Sequence, residues 1–369
     1  IADWIAAGAF MLLLVLLQPT TSNAQQPTGK PNEWLEDLDA LAANLPKLHK
    51  NLFFQLSPSA FNGEVEQLRL AIPGLSDEQI IVRMARIIAM AGDAHTNLSL
   101  QQSSIPFRTF PIRLQWFSDG IFVTETTPEY KALLGLKLVK IGGTHVEEAY
   151  RLVGNLIAHE NDAWLRYRSQ VYLAIPEVLH ALGLLSSAAN AHFTFQNLTG
   201  KYLDFDLQPI SQALARNWIS YFDNSEVVRW PLYLKNRLSG FRYWVDYLAD
   251  SSTLYLKYDQ CRSDTALPFQ YVSDAMLQFI NLGMVRRVVI DLRNNTGGNS
   301  GVLAPLIDGL RRSIAMGRLD VRNLSVIIGG QTFSSGMLNA IQLNPDYARV
   351  DAFSTYLPSK IVACFLKRR

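Results

Sequence analysis

From Glu33 to Met90 apolar residues recur at three- and four-residue spacing, first as Trp34, Leu35, Leu38, Leu41 and Leu45, then as Ile80, Ile81, Met84, Ile87 and Ile88. That period lays one face of a helix against a core. Pro46, Pro58 and Pro73 punctuate the run, so residues 33–100 read as a small domain of several helices, with the helical pattern closing at Gly92-Asp93. From Ser104 to about Leu185 the period shortens. Phe107, Phe110, Ile112, Leu114 and Phe117, then Ile121 to Val123, predict short strands around a turn at Ser118-Asp119-Gly120. A helix-like stretch follows from Val146 to Leu156. Strands are expected again at Phe193–Phe195 and Tyr202–Leu207, before a polar, tryptophan-bearing connection.

Beyond Thr253 strand and helix alternate. Strands are predicted at Leu254–Tyr258, Arg287–Leu292 and Leu324–Ile328, and helices at Phe269–Leu282, Gly301–Ile314 and Ser335–Leu343. Alternation at this spacing argues for a parallel sheet with right-handed crossovers.

Composition narrows the classes. The chain has 369 residues, 49% hydrophobic and 18% charged, room for two or three domains at roughly 150 residues each. A net charge of +2 gives no broad attraction to nucleic acid or acidic lipid. Ala6 to Leu17 is an unbroken apolar or glycine run, followed by Pro19 and by Ser22-Asn23-Ala24. This has the form of a signal-peptide core with a small-x-small cleavage site, too short to cross a bilayer comfortably. Residues 1–24 are therefore expected to be a signal peptide and 25–32 a linker, with the mature chain exported to a periplasm or outside the cell. An uncleaved anchor is the alternative, and the one membrane association expected. Cys261 and Cys364 are too few for a disulfide framework; whether they pair stays open.

The chemistry concentrates in two segments, Val288-Val289-Ile290-Asp291-Leu292-Arg293-Asn294-Asn295-Thr296-Gly297-Gly298 and Val326-Ile327-Ile328-Gly329-Gly330-Gln331-Thr332-Phe333-Ser334-Ser335-Gly336. Each is a β-branched run that breaks into glycine and small polar residues before a helix. In an α/β fold that delivers backbone N–H groups and a hydroxyl to the carboxyl ends of neighbouring strands. Serine acyl transfer needs both, since amide donors meet the developing oxyanion and the hydroxyl attacks. No metal or cofactor is expected. The histidines stand singly, without His-x-x-x-His or Cys-x-x-Cys spacing, and neither a phosphate-cradling loop nor a dinucleotide fingerprint occurs.

The pair Asp-Leu-Arg-Asn-Asn-Thr-Gly-Gly and Thr-Phe-Ser-Ser-Gly resembles the tail-specific, or C-terminal-processing, serine peptidases, a family with tricorn-core and interphotoreceptor retinoid-binding relatives. The similarity takes in Gly92-Asp93-Ala94-His95-Thr96, the glycine-bounded run Gly135–Gly143, Glu160-Asn161 and Pro176-Glu177. It implies an α/β fold with a crotonase/ClpP-like core and parallel sheet at 251–350, preceded by the helical domain and a PDZ-like α+β module at 101–188. Residues 189–250 become connecting strands and linker, and 351–369 a divergent tail. From local pattern alone, a hairpin-plus-helix core element explains the glycine run as well as a PDZ-like module does.

The resemblance further implies Ser334 as nucleophile, two residues after Thr332 at a helix entry. Ser335 is the rival, or else a structural N-cap. Gly297, Gly298 and the Ser335 N–H would form the oxyanion hole, with Asp291 and Arg293 bracing the loop and Asn294 and Asn295 forming its turn. Two bases are open. His95 is the base in the histidine branch of the family, and Lys360, 26 residues after Ser334, is the candidate for a Ser–Lys pair, though without that branch's flanking glycines. His49, His145, His159, His180 and His192 read as structural. The acid that orients the histidine is expected beyond Arg369. Because the family pattern is lost from about Asp351, a truncated or frameshifted reading of a longer protein is expected. The function implied is an exported serine endopeptidase acting on protein or peptide through an acyl-enzyme. The alternative is a catalytically inactive binder of peptide or a small apolar ligand on the same scaffold. Oligomeric state is not legible.

Overall fold

A computed structural model describes residues 31–100, 103, 105–211, 217–222, 231–236 and 240–344, and the backbone of 361–363. The expected signal peptide, Lys360 and Cys364 lie outside the described residues. Among the described residues no helix is long and apolar enough to cross a membrane.

The chain opens with α1 (Pro31–Leu48), α2 (Pro58–Ala71) and α3 (Asp77–Ala89). Ser57 caps α2 by accepting the Ala60 N–H, and Ser76 with Gln79 closes a capping box on α3. The apolar spacing did its expected work, for Leu38, Phe61, Leu68, Ile72, Ile80, Met84 and Ile87 fill one core.

A mixed unit follows: β1 (Ile112–Phe117), β2 (Gly120–Thr126), β3 (Lys137–Ile141), β4 (Thr144–His145), α4 (Val146–Gly154), α5 (Asp162–Tyr172), α6 (Pro176–Ala181), β5 (Ala191–Gln196), β6 (Tyr202–Leu207) and β7 (Ile219–Ser220). Its sheet runs β1-β2-β3-β5-β6 and its main ladders are antiparallel. The sheet continues across residue 188. Residues 191–207 are therefore part of this unit's sheet, not a connecting segment, and Phe193 and Phe195 are fully buried in its core. The helices α5 and α6 went unforeseen, because α5 mixes Arg166, Arg168 and Gln170 with its aromatics and both helices are short. Their start signals are nonetheless local. Asn161 caps α5 through the Trp164 N–H, and Pro176 opens α6.

The last unit comprises β8 (Tyr243–Leu248), β9 (Thr253–Tyr258), α7 (Phe269–Asn281), β10 (Arg287–Asp291), α8 (Ala304–Ala315), β11 (Leu324–Ile328), α9 (Ser335–Gln342) and β12 (Ile361–Ala363). Its sheet has the order β12-β11-β10-β9-β8, parallel except for β8 at one edge. Helix α8 starts later than its pattern suggested, since Ser300–Leu303 is a 3-10 turn. Every residue of β9 is buried, including Lys257, whose ammonium is matched by Asp259 and Asp291. An ion so placed survives only when paired. Asp291 lies opposite Ile327 in register, so the loops leaving β10 and β11 emerge side by side.

Candidate active site

Those two loops are laced together residue by residue. The Thr332 hydroxyl donates to Leu292 O at 2.7 Å, the Phe333 N–H to Asn295 O at 2.9 Å, and the Ser335 hydroxyl to Gly298 O at 2.7 Å. A Cβ on Gly297 would lie 2.8 Å from Ser334 Cβ. The segments singled out from sequence therefore touch.

Ser334 stands at the strand-to-helix turn with φ 50° and ψ −125°, a conformation foreign to residues with a Cβ. Holding it there costs about 1–3 kcal/mol, and such strain gathers at functional turns. It lifts the Ser334 hydroxyl out of the helix cap, and Oγ lies 3.1 Å from His95 Nε2. Ser335 is different. Its side chain is buried and its hydroxyl is committed to Gly298 O, which gives it a bracing role.

The amides sort the oxyanion candidates. The Gly297 N–H, expected among the oxyanion donors, instead donates to Asn295 Oδ1 at 2.9 Å and is engaged there. The Cys261 N–H holds Gly297 O at 2.9 Å. Across a trans peptide the Gly298 N–H then points the opposite way. Among the described residues neither the Gly298 N–H nor the Ser335 N–H has an acceptor. Asn295, expected to be a turn-former, is fully buried and does more. Its amide donates to Tyr258 O at 2.9 Å while its Oδ1 receives the Gly297 N–H. The Cys261 thiol is free and buried, and its single S–H lies within reach of the side-chain oxygens of both Asn295, at 3.3 Å, and Asn339, at 3.2 Å.

Behind the loop, Asp291 is completely buried and accepts from the Tyr255 hydroxyl at 2.5 Å and from Arg293. Burial alone would raise its pKa, but Arg293 and Lys257 overcome that and hold the carboxyl below the usual range. Arg293 also lies over the Tyr233 ring at 3.9 Å. The expected bracing role for both residues matches these contacts.

His95 arrives on the turn after α3. Asp93 Oδ1 accepts the His95 backbone N–H at 3.0 Å and lies 3.6 Å from its Nδ1, just beyond hydrogen-bond length. The Thr96 hydroxyl donates to Asp93 Oδ2 at 2.8 Å, and His49 Nε2 lies 3.3 Å from it. The Asn51 N–H donates to His49 Nδ1, which leaves Nε2 of a neutral ring as the N–H facing Asp93. Partial burial pushes the Asp93 carboxyl up, but these hydrogen bonds outweigh it and hold it below the usual carboxylate range. The sequence offers only a structural reading of His49, because an isolated histidine carries no local signal of such a partner. Glu160 Oε1 accepts the Ala94 N–H at 3.1 Å. Donor atoms of Asp93, His95 and Glu160 lie within 4.8 Å of one another, a grouping that could hold a cation and that residue spacing did not foresee.

Two cavities adjoin the same two loops, though neither is lined by Ser334 or His95. A cavity of about 160 Å³ is lined by Trp116, Arg166, Tyr167, Arg293, Asn294 and Gln331. It shares Tyr167, Tyr233, Asn294 and Gln331 with a second of about 470 Å³, whose walls include Ile112, Leu114 and Trp218. The floor comes from the two loops that carry the serine and the free amides, and the walls come from β1 and α5 of the mixed unit.

Solved structures that this fold resembles include tail-specific, C-terminal-processing serine peptidases. The crystal structure of mature CPAF is 13% identical with a TM-score of 0.56, covering 86% of this chain and 82% of that one. Mature CPAF complexed with lactacystin is 14% identical with a TM-score of 0.51, and the match spans 75% of this chain and 59% of that one. The photosystem II D1 C-terminal processing protease matches with a TM-score of 0.31 at 14% identity, covering 86% of this chain and 78% of that one, and no weight rests on it. At these identities the likeness defines the fold alone. No family model and no curated protein matches the sequence.

Proposed function

We propose that this chain is a serine-type peptidase in which Ser334 attacks a peptide carbonyl with His95 as base. The observation that carries the reading is the 3.1 Å approach of His95 Nε2 to the Ser334 hydroxyl across 239 residues of sequence, beside two amides without acceptors. For Nε2 to accept the hydroxyl proton, a neutral His95 must carry its own proton on Nδ1, the nitrogen facing Asp93. Asp93 is then the acid that orients the base, with His49 and Thr96 holding it. On this reading Asp93 takes the place of the acid expected beyond Arg369, and Lys360 is not needed as a base. The oxyanion rests on the Gly298 and Ser335 N–H groups at the start of α9, where the helix dipole also favours negative charge. His95 then gives the serine proton to the leaving amine as the C–N bond breaks, and the acyl-enzyme left on Ser334 is hydrolysed when His95 draws a proton from water. An extended peptide lies along the cleft between β1, α5 and the loops.

The test is covalent. A fluorophosphonate probe labels the parent chain and Ser335→Ala but not Ser334→Ala. An unlabelled parent chain sinks the hydrolase reading and favours a non-catalytic peptide binder on this scaffold. We also read the protein as exported, on the apolar run and Ser22-Asn23-Ala24; a secreted form whose N-terminus lies near Gln25 supports this, and an uncleaved cytoplasmic form rejects it.

A further inference from the structure

We propose that Phe333 and Trp164 are positioning residues for the base, forming with His95 a three-ring stack that fixes the imidazole plane. The inference rests on the serine-peptidase reading above. The Phe333 ring lies 4.4 Å from the His95 ring, centroid to centroid, at 29°. Trp164 covers the far side of Phe333 at 4.0 Å and 16°.

His95 needs such support. Its side chain is 59% exposed, and the imidazole edge has one hydrogen bond, to Ser334, and the looser contact to Asp93. Edge contacts alone leave the ring free to tilt about the line joining them. A face contact removes that freedom. Phe333 is itself fixed, because its N–H is bonded to Asn295 O and it directly precedes the strained Ser334. Trp164 is fixed by the Asn161 cap of α5. The same helix start brings Glu160 to the Ala94 N–H, so the mixed unit grips the His95 turn at two points. Base and nucleophile are thus registered by parts of all three units.

The experiment measures the second-order rate of fluorophosphonate labelling at neutral pH for the parent chain, Phe333→Leu, Trp164→Leu, Phe333→Tyr and Trp164→Phe. Both leucine variants should label about tenfold more slowly, as expected when a reacting group is misplaced. The aromatic variants should recover the parental rate. Parental rates in the leucine variants, or aromatic variants as slow as the leucine ones, overturn the proposal.

A second measurement holds if the leucine variants do not fold or the parent chain is not labelled. In Ser334→Ala protein, ring currents should displace the His95 ring-proton resonances upfield of the free imidazole position. Resonances at the free position overturn the stack, whereas loss of parental labelling speaks against the peptidase reading alone.

Discussion

Gly298→Ala is the substitution that most directly probes the oxyanion loop. Gly298 has φ +132°, and a Cβ there would lie 2.4 Å from Cys261 O and 3.0 Å from Cys261 C. Both are backbone atoms, and neither can step aside cheaply. Cys261 O accepts the Asn299 N–H at 2.7 Å while the Cys261 N–H donates to Gly297 O at 2.9 Å. The backbone conformation costs about 1–3 kcal/mol for a residue with a Cβ, and the overlap about 1–3 kcal/mol more. If the loop escapes by parting from Cys261, it forfeits two hydrogen bonds of about 1 kcal/mol each. Either route turns the Gly298 N–H away from the position beside Ser334. Loss of one oxyanion donor slows acyl transfer by about 10²–10³. Fluorophosphonate labelling should therefore slow by that factor, with Ser334 and His95 untouched, and thermal unfolding should move to lower temperature. Gly317→Ala is the control, since Gly317 has φ +67° but nothing within 4 Å of a new Cβ; it should label at the parental rate. Labelling of Gly298→Ala within about threefold of the parent would refute the assignment of that amide.

Three further outcomes are expected. Ser335→Ala keeps the nucleophile but strips Gly298 O of its buried donor, so it should label yet lose about 1–3 kcal/mol in denaturant titrations; a stability equal to the parent's contradicts the brace. His49→Ala should slow labelling roughly tenfold by loosening Asp93, and His49→Gln, which can still donate, should restore most of the rate; equal rates in both variants rule out a donor role. Asp291→Ala leaves Lys257 with Asp259 alone and Arg293 unbraced, which should cost about 3–5 kcal/mol. Because the folded-state pKa of Asp291 lies below the ordinary value, its contribution is full above about pH 4 and is lost as pH falls through that lower folded value. The stability gap between parent and Asp291→Ala should therefore close in strong acid, and a gap that widens there contradicts the assignment.

The legible parts of this molecule are those whose information is local. Apolar spacing located α1, α3 and the strands and helices after Thr253, because burial of one face imposes a period that sequence displays directly. The two glycine-ended loops were legible for the same reason, since a turn beside a strand end needs residues that tolerate its backbone. The middle unit was harder. Helix α5 packs aromatics on one side while its arginines mingle with them in sequence, so neither helical nor strand period dominates. Gly297 and Gly298 look equivalent in sequence, but only the side chain of Asn295, folding back on its own loop, decides which amide is left for chemistry.

Positioning residues fail to announce themselves for a further physical reason. His95 is held by groups from three places: Asp93 on its own turn with His49 behind it, Glu160 and Trp164 at the head of α5, and Phe333 on the serine loop. Each contact alone is weak. The charge contact is 3.6 Å long and largely solvated, and such exposed pairs contribute about 0–1 kcal/mol. Together they fix an imidazole that one hydrogen bond could not. An arrangement summed from small terms on separate elements constrains each residue type only loosely, so the pattern that specifies the proposed base is spread over 49–334 and is visible only once the chain has folded. It also makes the site sensitive to how the three units dock, because a small shift of α5 moves a ring wall and a carboxylate at once. Reactivity of Ser334 should therefore fall before the fold itself is lost on mild denaturation. Equal midpoints for labelling and for unfolding of the whole chain would argue that the units do not move independently.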